Sequence, residues 1–273
     1  MAVTPQFHRL ALMLGDDGIE ALHSTEVAIF GVGGVGSWCA ESLIRSGIGK
    51  LTLVDSDTIC VTNLNRQLQA TTRNLGRSKV MELASRLRDI HPRATIEVIH
   101  GVYEAATRES FRLERFDYVI DAIDSLTHKV DLIMAATAAG AKVFVSMGAG
   151  NKMDPTQIRI ASIRDTRICP LAKLVRRKLR DRGFEGDCEC VFSLEAPNEI
   201  RHTSARDGTH KCICADTVRG DETNELEAKD WCDSKVEINA SVSHITATFG
   251  QFLAGMVIQD VMKKLRSAGQ VTQ

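Results

Sequence analysis

Along the first 150 residues, apolar residues gather in short runs separated by glycines and polar turns. Val27-Ala28-Ile29-Phe30 runs straight into glycines, as a strand buried on both faces of a parallel sheet would. Val35, Trp38, Cys39, Ser42 and Leu43 then recur at helical spacing, and Gly47 offers the positive φ that closes a helix. Leu51-Thr52-Leu53-Val54-Asp55 reads as a second strand. Val80, Leu83, Ala84, Leu87 and Ile90 form one stripe on a helix from Ser78 to Ile90, which His91-Pro92 stops. A strand at Thr95 to Ile99 follows, and Tyr118-Val119-Ile120 and Lys142 to Ser146 flank an alanine-rich helix starting at about Lys129 and ending at Ala139. This alternation predicts the α/β class, a Rossmann-like, doubly wound and mostly parallel sheet.

Beyond residue 150 the pattern changes. A basic helix from about Pro170 to Asp181 and an apolar helix from about Thr246 to Leu265 are predicted, and the polar, turn-rich stretch from Arg201 to Asp230 is expected to be a mobile loop. Residues 151–273 are thus read as an extension that completes the sheet and is integrated with the first 150 residues.

Composition narrows the classes. The chain has 273 residues, 44% of them hydrophobic, which suffices for a buried core. A net charge of −1 provides no global attraction to nucleic acid or anionic lipid, so such affinity requires a local patch. The start MAVTPQFHRL lacks the apolar run of a signal peptide, and Leu132 to Ala141 and Phe252 to Ile258 fall short of the roughly 18 residues needed to span a bilayer. The expectation is a protein of the cytoplasm, or of an organelle in a eukaryotic host, with no membrane insertion. In such a setting the eight cysteines stay reduced, bind metal or include a reactive thiol.

The first candidate site is the loop Gly31-Val32-Gly33-Gly34-Val35-Gly36, between a strand and a helix. Without side chains at Gly31, Gly33, Gly34 and Gly36, backbone N–H groups can approach a phosphate at the positive end of that helix. Such a loop alone most often serves NAD or FAD, and a purely structural glycine turn is a further alternative. Asp55, about twenty residues on, suits a ribose hydroxyl in either an NAD or an ATP site. The separation comes from Asp55-Ser56-Asp57-Thr58-Ile59-Cys60-Val61-Thr62-Asn63-Leu64-Asn65-Arg66-Gln67 and Gly76-Arg77-Ser78-Lys79, which have no task in hydride transfer. Activation of a carboxylate by ATP needs cations on the triphosphate while pyrophosphate departs, and Arg66 and Lys79 are suited to that. Lys79 at a helix start opposes the macrodipole, so an anionic ligand is expected to compensate it. Asp124, read as the end of the strand Tyr118 to Asp124, is the candidate magnesium ligand, with Asp121 the lesser alternative.

The motifs GVGGVG, DSDTICVTNLNRQ, GRSK and DAIDS together resemble the ubiquitin-activating-enzyme-like superfamily, which includes the ThiF and MoeB adenylyltransferases. The resemblance implies that residues 1–150 bind ATP and that Gly33, Asp55, Asp57, Asn63, Arg66, Gln67 and Lys79 hold it, with magnesium on Asp124. It also implies a homodimer in which Arg9 reaches into the neighbouring subunit's site. Segments Ser146 to Thr156, Pro170 to Lys173 and Val191 to Glu195 are similar to the dehydratase branch that acts on threonylcarbamoyladenosine in tRNA. That implies adenylation of the threonyl carboxylate followed by ring closure with loss of AMP, and assigns residues 151–273 to substrate binding and dimerisation. The alternatives are adenylation of the C-terminus of a ubiquitin-like or sulfur-carrier protein, a nucleotide-dependent scaffold, and a dehydrogenase.

Lys173, Arg176, Arg177, Lys178, Arg180 and Arg182 concentrate charge on the basic helix, as a tRNA-phosphate patch or as a solvated face. Cys188-Glu189-Cys190 and Cys212-Ile213-Cys214, with Cys169 and Cys232, could hold Zn²⁺ or be reduced structural thiols. ThiF and MoeB relatives carry two C-x-x-C pairs instead. Cys232 is the candidate reactive thiol, catalytic or accepting sulfur from a sulfur-transfer or cysteine desulfurase system.

Overall fold

The computed structural model describes residues 5–199 and 240–270. Seven strands form one sheet: β1 (Glu26–Phe30), β2 (Lys50–Asp55), β3 (Thr95–His100), β4 (Tyr118–Asp121), β5 (Lys142–Ser146), β6 (Ile158–Ser162) and β7 (Glu189–Ser193). Their order is β3-β2-β1-β4-β5-β7-β6, and every neighbouring pair is parallel except β6 with β7. The helices are α1 (His8–Ser24), α2 (Gly36–Arg45), α3 (Lys79–Ile90), α4 (Leu126–Ala138), α5 (Pro170–Asp181) and α6 (Ser243–Gln270).

β1 is central because both of its faces are apolar. Val27 and Ile29 point to a core shared with α1, α2, α3 and α6, while Ala28 and Phe30 point to a second core shared with α4 and α5. The sheet grows from β1 in both directions, through β2 on one side and β4 on the other. Strand order therefore reverses between β1 and β4, and a crevice opens beyond their carboxyl ends. β7 pairs with β5 in the same sheet, so the extension does complete it.

Some boundaries differ from the sequence reading. β4 stops at Asp121 instead of running to Asp124, because the Asp121 carboxylate accepts a hydrogen bond from the Ile123 N–H and turns the chain. α4 begins at Leu126, which places Lys129 inside the helix, and α6 runs from Ser243 to Gln270. The stretch from Arg201 to Asp230, together with Cys212, Cys214 and Cys232, lies outside the described residues. No helix among the described residues is long and apolar enough to cross a membrane.

Candidate nucleotide site

The glycine turn joins β1 to α2 at the switch point. Gly31 has φ +86° and donates its N–H to the Val54 carbonyl at 2.8 Å. A Cβ there would lie 2.7 Å from the Ala122 carbonyl oxygen, so only glycine lets the ends of β1 and β4 approach. Asp55 braces this turn from the end of β2: one carboxylate oxygen accepts from Val32 N at 2.8 Å, the other from Asp57 N at 2.9 Å. Burial pushes its carboxyl upward, while Lys79 and the two backbone donors oppose that rise. Gln69, which the sequence did not single out, donates its side-chain amide to the Val32 carbonyl at 2.9 Å.

Lys79 is the first residue of α3 and is 5% exposed. Its Nζ lies 2.7 Å from Asp57 Oδ2, and its backbone N–H donates to the Asp57 carbonyl at 3.0 Å. The counter-charge expected from a ligand is therefore supplied by Asp57 in this structure, which corrects the sequence argument about Lys79. The Asp57 side chain is 37% exposed, so the pair keeps one side open to the crevice edge.

Arg66 is half-buried, and burial pushes its guanidinium pKa down from the ordinary arginine value. Its Nη1 donates to the Thr62 carbonyl at 2.6 Å and to Asn65 Oδ1 at 2.9 Å. Its stem lies against the glycine turn, since a Cβ on Gly34 would sit 3.3 Å from both Arg66 Cγ and Thr246 Cβ. Both cations are held by protein partners. Gln67 is buried beside Gly33 with its Oε1 lacking a partner, and Asn63 Oδ1 accepts from the Cys60 N–H at 3.0 Å. The structure thus gathers Gly31, Gly33, Gly34, Gly36, Asp55, Asp57, Asn63, Arg66, Gln67 and Lys79 at one end of β1 and β2. This collection suits a nucleotide phosphate: it combines a bare glycine turn, a helix start, two cations with restricted solvation and an unsatisfied buried amide.

The two aspartates after β4 divide their tasks. Asp121 is fully buried and ion-paired to the equally buried Lys129 Nζ at 2.8 Å. Asp124 is exposed in the loop that follows, where a divalent ion bridging phosphates could use it. Arg9 stands apart, exposed on α1. The residues before it, Gln6 and Phe7, pack on His91 beyond the C-terminal end of α3, whereas Lys79 starts that helix about 18 Å away.

On α5, Lys173, Arg177, Lys178 and Arg180 are exposed. Arg176 is tied to the Thr166 carbonyl at 2.8 Å and Arg182 to Asp131 at 3.2 Å, so the free patch is smaller than the sequence suggested. Cys169, Cys188 and Cys190 are buried thiols, and no group of three or more metal-binding side chains occurs among the described residues. Sequence reasoning missed Thr246 and Ser241, since their place beside the glycine turn depends on how the far end of the chain folds back. Ser241 accepts a hydrogen bond from Asn65 Nδ2 at 2.9 Å.

A glycine turn at the switch point of a parallel sheet, flanked by two partly buried cations, defines a Rossmann-like nucleotide-binding protein. The family model of the ThiF family matches residues 6–273, and the chain belongs to that family. A tRNA threonylcarbamoyladenosine dehydratase of Bacillus subtilis (strain 168) is 37% identical over 260 residues, covering 95% of this chain and 96% of the relative. The crystal structure of the Escherichia coli tRNA N6-threonylcarbamoyladenosine dehydratase in complex with ATP superposes with a TM-score of 0.76 at 29% identity, covering 98% of this chain and 96% of that one. The molybdopterin-synthase adenylyltransferase of Escherichia coli (strain K12) is 32% identical over 153 residues, which is 56% of this chain and 60% of the relative. The superfamily resemblance and the mostly parallel α/β fold are both borne out.

Proposed function

We propose that this protein uses ATP to activate the threonyl carboxylate of threonylcarbamoyladenosine in tRNA and then closes the side group into a ring. A carboxylate is a poor electrophile until one oxygen becomes part of a good leaving group. In the first step that oxygen bonds to the α-phosphorus of ATP and pyrophosphate leaves. In the second, the ureido group of the same side chain attacks the acyl carbon, the bond to AMP breaks, and one proton is lost.

The observation that carries this reading is the end-to-end likeness to the dehydratases, at 95–98% of this chain, against 56% for the molybdopterin-synthase adenylyltransferase. In this reading residues 151–273 serve substrate binding and dimerisation, and residues 1–150 serve ATP. Within the cradle, Arg66 and Lys79 neutralise the triphosphate, with phosphate oxygens taking the place of the partly exposed Asp57 carboxylate on Lys79. Asp55 keeps lone pairs for ribose hydroxyls after bracing the turn, and Asp57, Asn63 and Gln67 complete the nucleotide's contacts. Magnesium on Asp124 would neutralise charge on the departing pyrophosphate; Asp121 is committed to Lys129.

The exposed cations of α5 are read as a tRNA-phosphate patch. A homodimer is supported by Leu12 and Met13, 76% and 82% exposed on α1 a turn from Arg9, an apolar surface that a second copy would cover. Ring closure as written needs no enzyme thiol, so Cys232 has no required step in it.

The test is mass spectrometry of tRNA nucleosides after incubation with protein, ATP and magnesium. Loss of one water from threonylcarbamoyladenosine, dependent on ATP, is expected. An unaltered nucleoside, with pyrophosphate exchange supported instead by a small protein ending in Gly-Gly, would overturn the assignment.

A further inference from the structure

Ring closure requires a proton acceptor, and the cradle residues are already assigned to the nucleotide. On the dehydratase reading, a path of hydrogen bonds and peptide links leads from the cradle to another candidate acceptor. Arg66 bonds Asn65, and Asn65 Nδ2 donates to the Ser241 carbonyl at 2.9 Å. The neighbouring Ala240 exchanges two bonds with Asn151: Asn151 N donates to the Ala240 carbonyl at 2.7 Å, and Ala240 N donates to Asn151 Oδ1 at 2.9 Å. The next residue is Lys152, in the loop that leaves the carboxyl end of β5 beside β4.

Lys152 is only 3% exposed, and its Nζ donates to the Glu195 carbonyl. Among the described residues no carboxylate lies within ion-pairing distance of it. The Glu195 carboxylate is engaged elsewhere, accepting from Met153 N at 3.0 Å and Asp154 N at 2.9 Å and from Asn198. Lys79 and Lys129, the other buried lysines among the described residues, each meet an aspartate. Burial of an ammonium at position 152, with the Glu195 carboxylate already bonded to Met153, Asp154 and Asn198, favours the neutral amine. Burial pushes its pKa below the ordinary lysine range, opposed by the charges of Cys169 and Glu195.

Backbone strain marks the same corner. Ile168 has φ +63° although it is β-branched, and its side chain is 57% exposed. That conformation is costly for such a residue, and strain of this kind is concentrated at functional sites. It adjoins Cys169, whose Sγ lies 3.6 Å from where a Cβ on Gly148 would sit, so the Ile168 turn packs on the loop that carries Lys152. Cys169 in turn caps α5, whose cations face solvent. Lys152 therefore sits in the loop at the carboxyl end of β5, linked through hydrogen bonds to the ATP cradle and through packing to the start of the basic helix.

We infer that Lys152 is the base of ring closure: its neutral Nζ takes the proton that the ureido group loses as that group bonds to the acyl carbon and AMP departs with the electron pair. Arg66 and Lys79 assist the departure of AMP, and the proton leaves Lys152 to solvent after product release.

Single-turnover reactions of the full-length protein with modified tRNA and ATP separate the two steps. Lys152→Met is expected to release pyrophosphate within about threefold of the wild-type rate while AMP and cyclic nucleoside form about 10²–10⁴-fold more slowly, so that acyl-adenylate accumulates. Lys152→Gln, which keeps a donor for the Glu195 carbonyl but offers no base, should behave alike, and it decides the matter if the methionine variant fails to fold. Ring closure at the wild-type rate in either folded variant would overturn the inference, as would equal slowing of both steps, which marks a binding role. If the wild-type protein releases no pyrophosphate with modified tRNA, the dehydratase reading itself fails, a result distinct from either.

Discussion

The cradle at β1–β2–α3 and the junction of β4 with α4 each place a lysine against an aspartate, at 2.7 Å for Lys79–Asp57 and 2.8 Å for Lys129–Asp121. At the junction both side chains are 0% exposed, whereas in the cradle the aspartate is 37% exposed. The difference separates scaffolding from chemistry. A sealed pair has no route by which another anion could replace the carboxylate, and losing one partner strands a charge in the core. A pair whose carboxylate side is open can trade that carboxylate for a phosphate, and solvent can rescue Asp57 if the lysine is lost.

Breaking the sealed pair should give the largest effect. Lys129→Met is expected to destabilise the fold by about 3–5 kcal/mol in urea unfolding, because Asp121 remains ionisable without a counter-charge. Replacing Asp121 by leucine in the same chain should recover most of that loss. Wild-type stability in the single variant would erase the contrast between the two regions.

The open pair should respond in activity instead. Lys79→Met is expected to keep its unfolding midpoint near wild-type while substrate-dependent pyrophosphate exchange falls about 10²–10³-fold. Exchange at the wild-type rate would mean that Lys79 only anchors Asp57.

The smallest effect lies at the other end of α3, where His91 caps the helix and its Nδ1 accepts a hydrogen bond from Gln6 Nε2 at 3.0 Å. Burial first, then the charges of His23 and Arg93, hold its pKa below the ordinary histidine value. The folded state therefore binds a proton less readily than the unfolded one. Its contribution is complete above about pH 6.5 and is lost as the pH falls through the lower folded value. Stability measured from pH 7 to pH 5 should decline, and His91→Gln should decline less; parallel curves would remove His91 as the cause.

Much of the nucleotide half was legible because its signals are local. The run Val27 to Phe30 ends in a glycine turn whose backbone could be foreseen, and the apolar stripe of α3 is regular. Arg66 and Lys79 stood out because they follow the second strand in a pattern foreign to hydride transfer. What escaped depends on distant partners. α1 contains Gly15 at φ +76°, Gly18 and adjacent aspartates, which mask its helical stripe. β6 and β7 are short and pair only when the chain returns to β5. The salt bridge that consumes Asp121 was hidden because Lys129 looked like the start of an apolar helix. Nothing in the sequence distinguished Lys152 within the segment from Ser146 to Thr156; its burial beneath the Glu195 carbonyl does.

Thr246, at the start of α6, lies against Gly34 more than two hundred positions earlier in the chain, and α6 packs along α2. During translation the glycine turn emerges more than two hundred residues before the wall it rests on. A nascent polypeptide that has not yet reached Thr246 would hold its phosphate-binding turn unsupported, so ATP capture would report the docking of α6 rather than formation of the first strands.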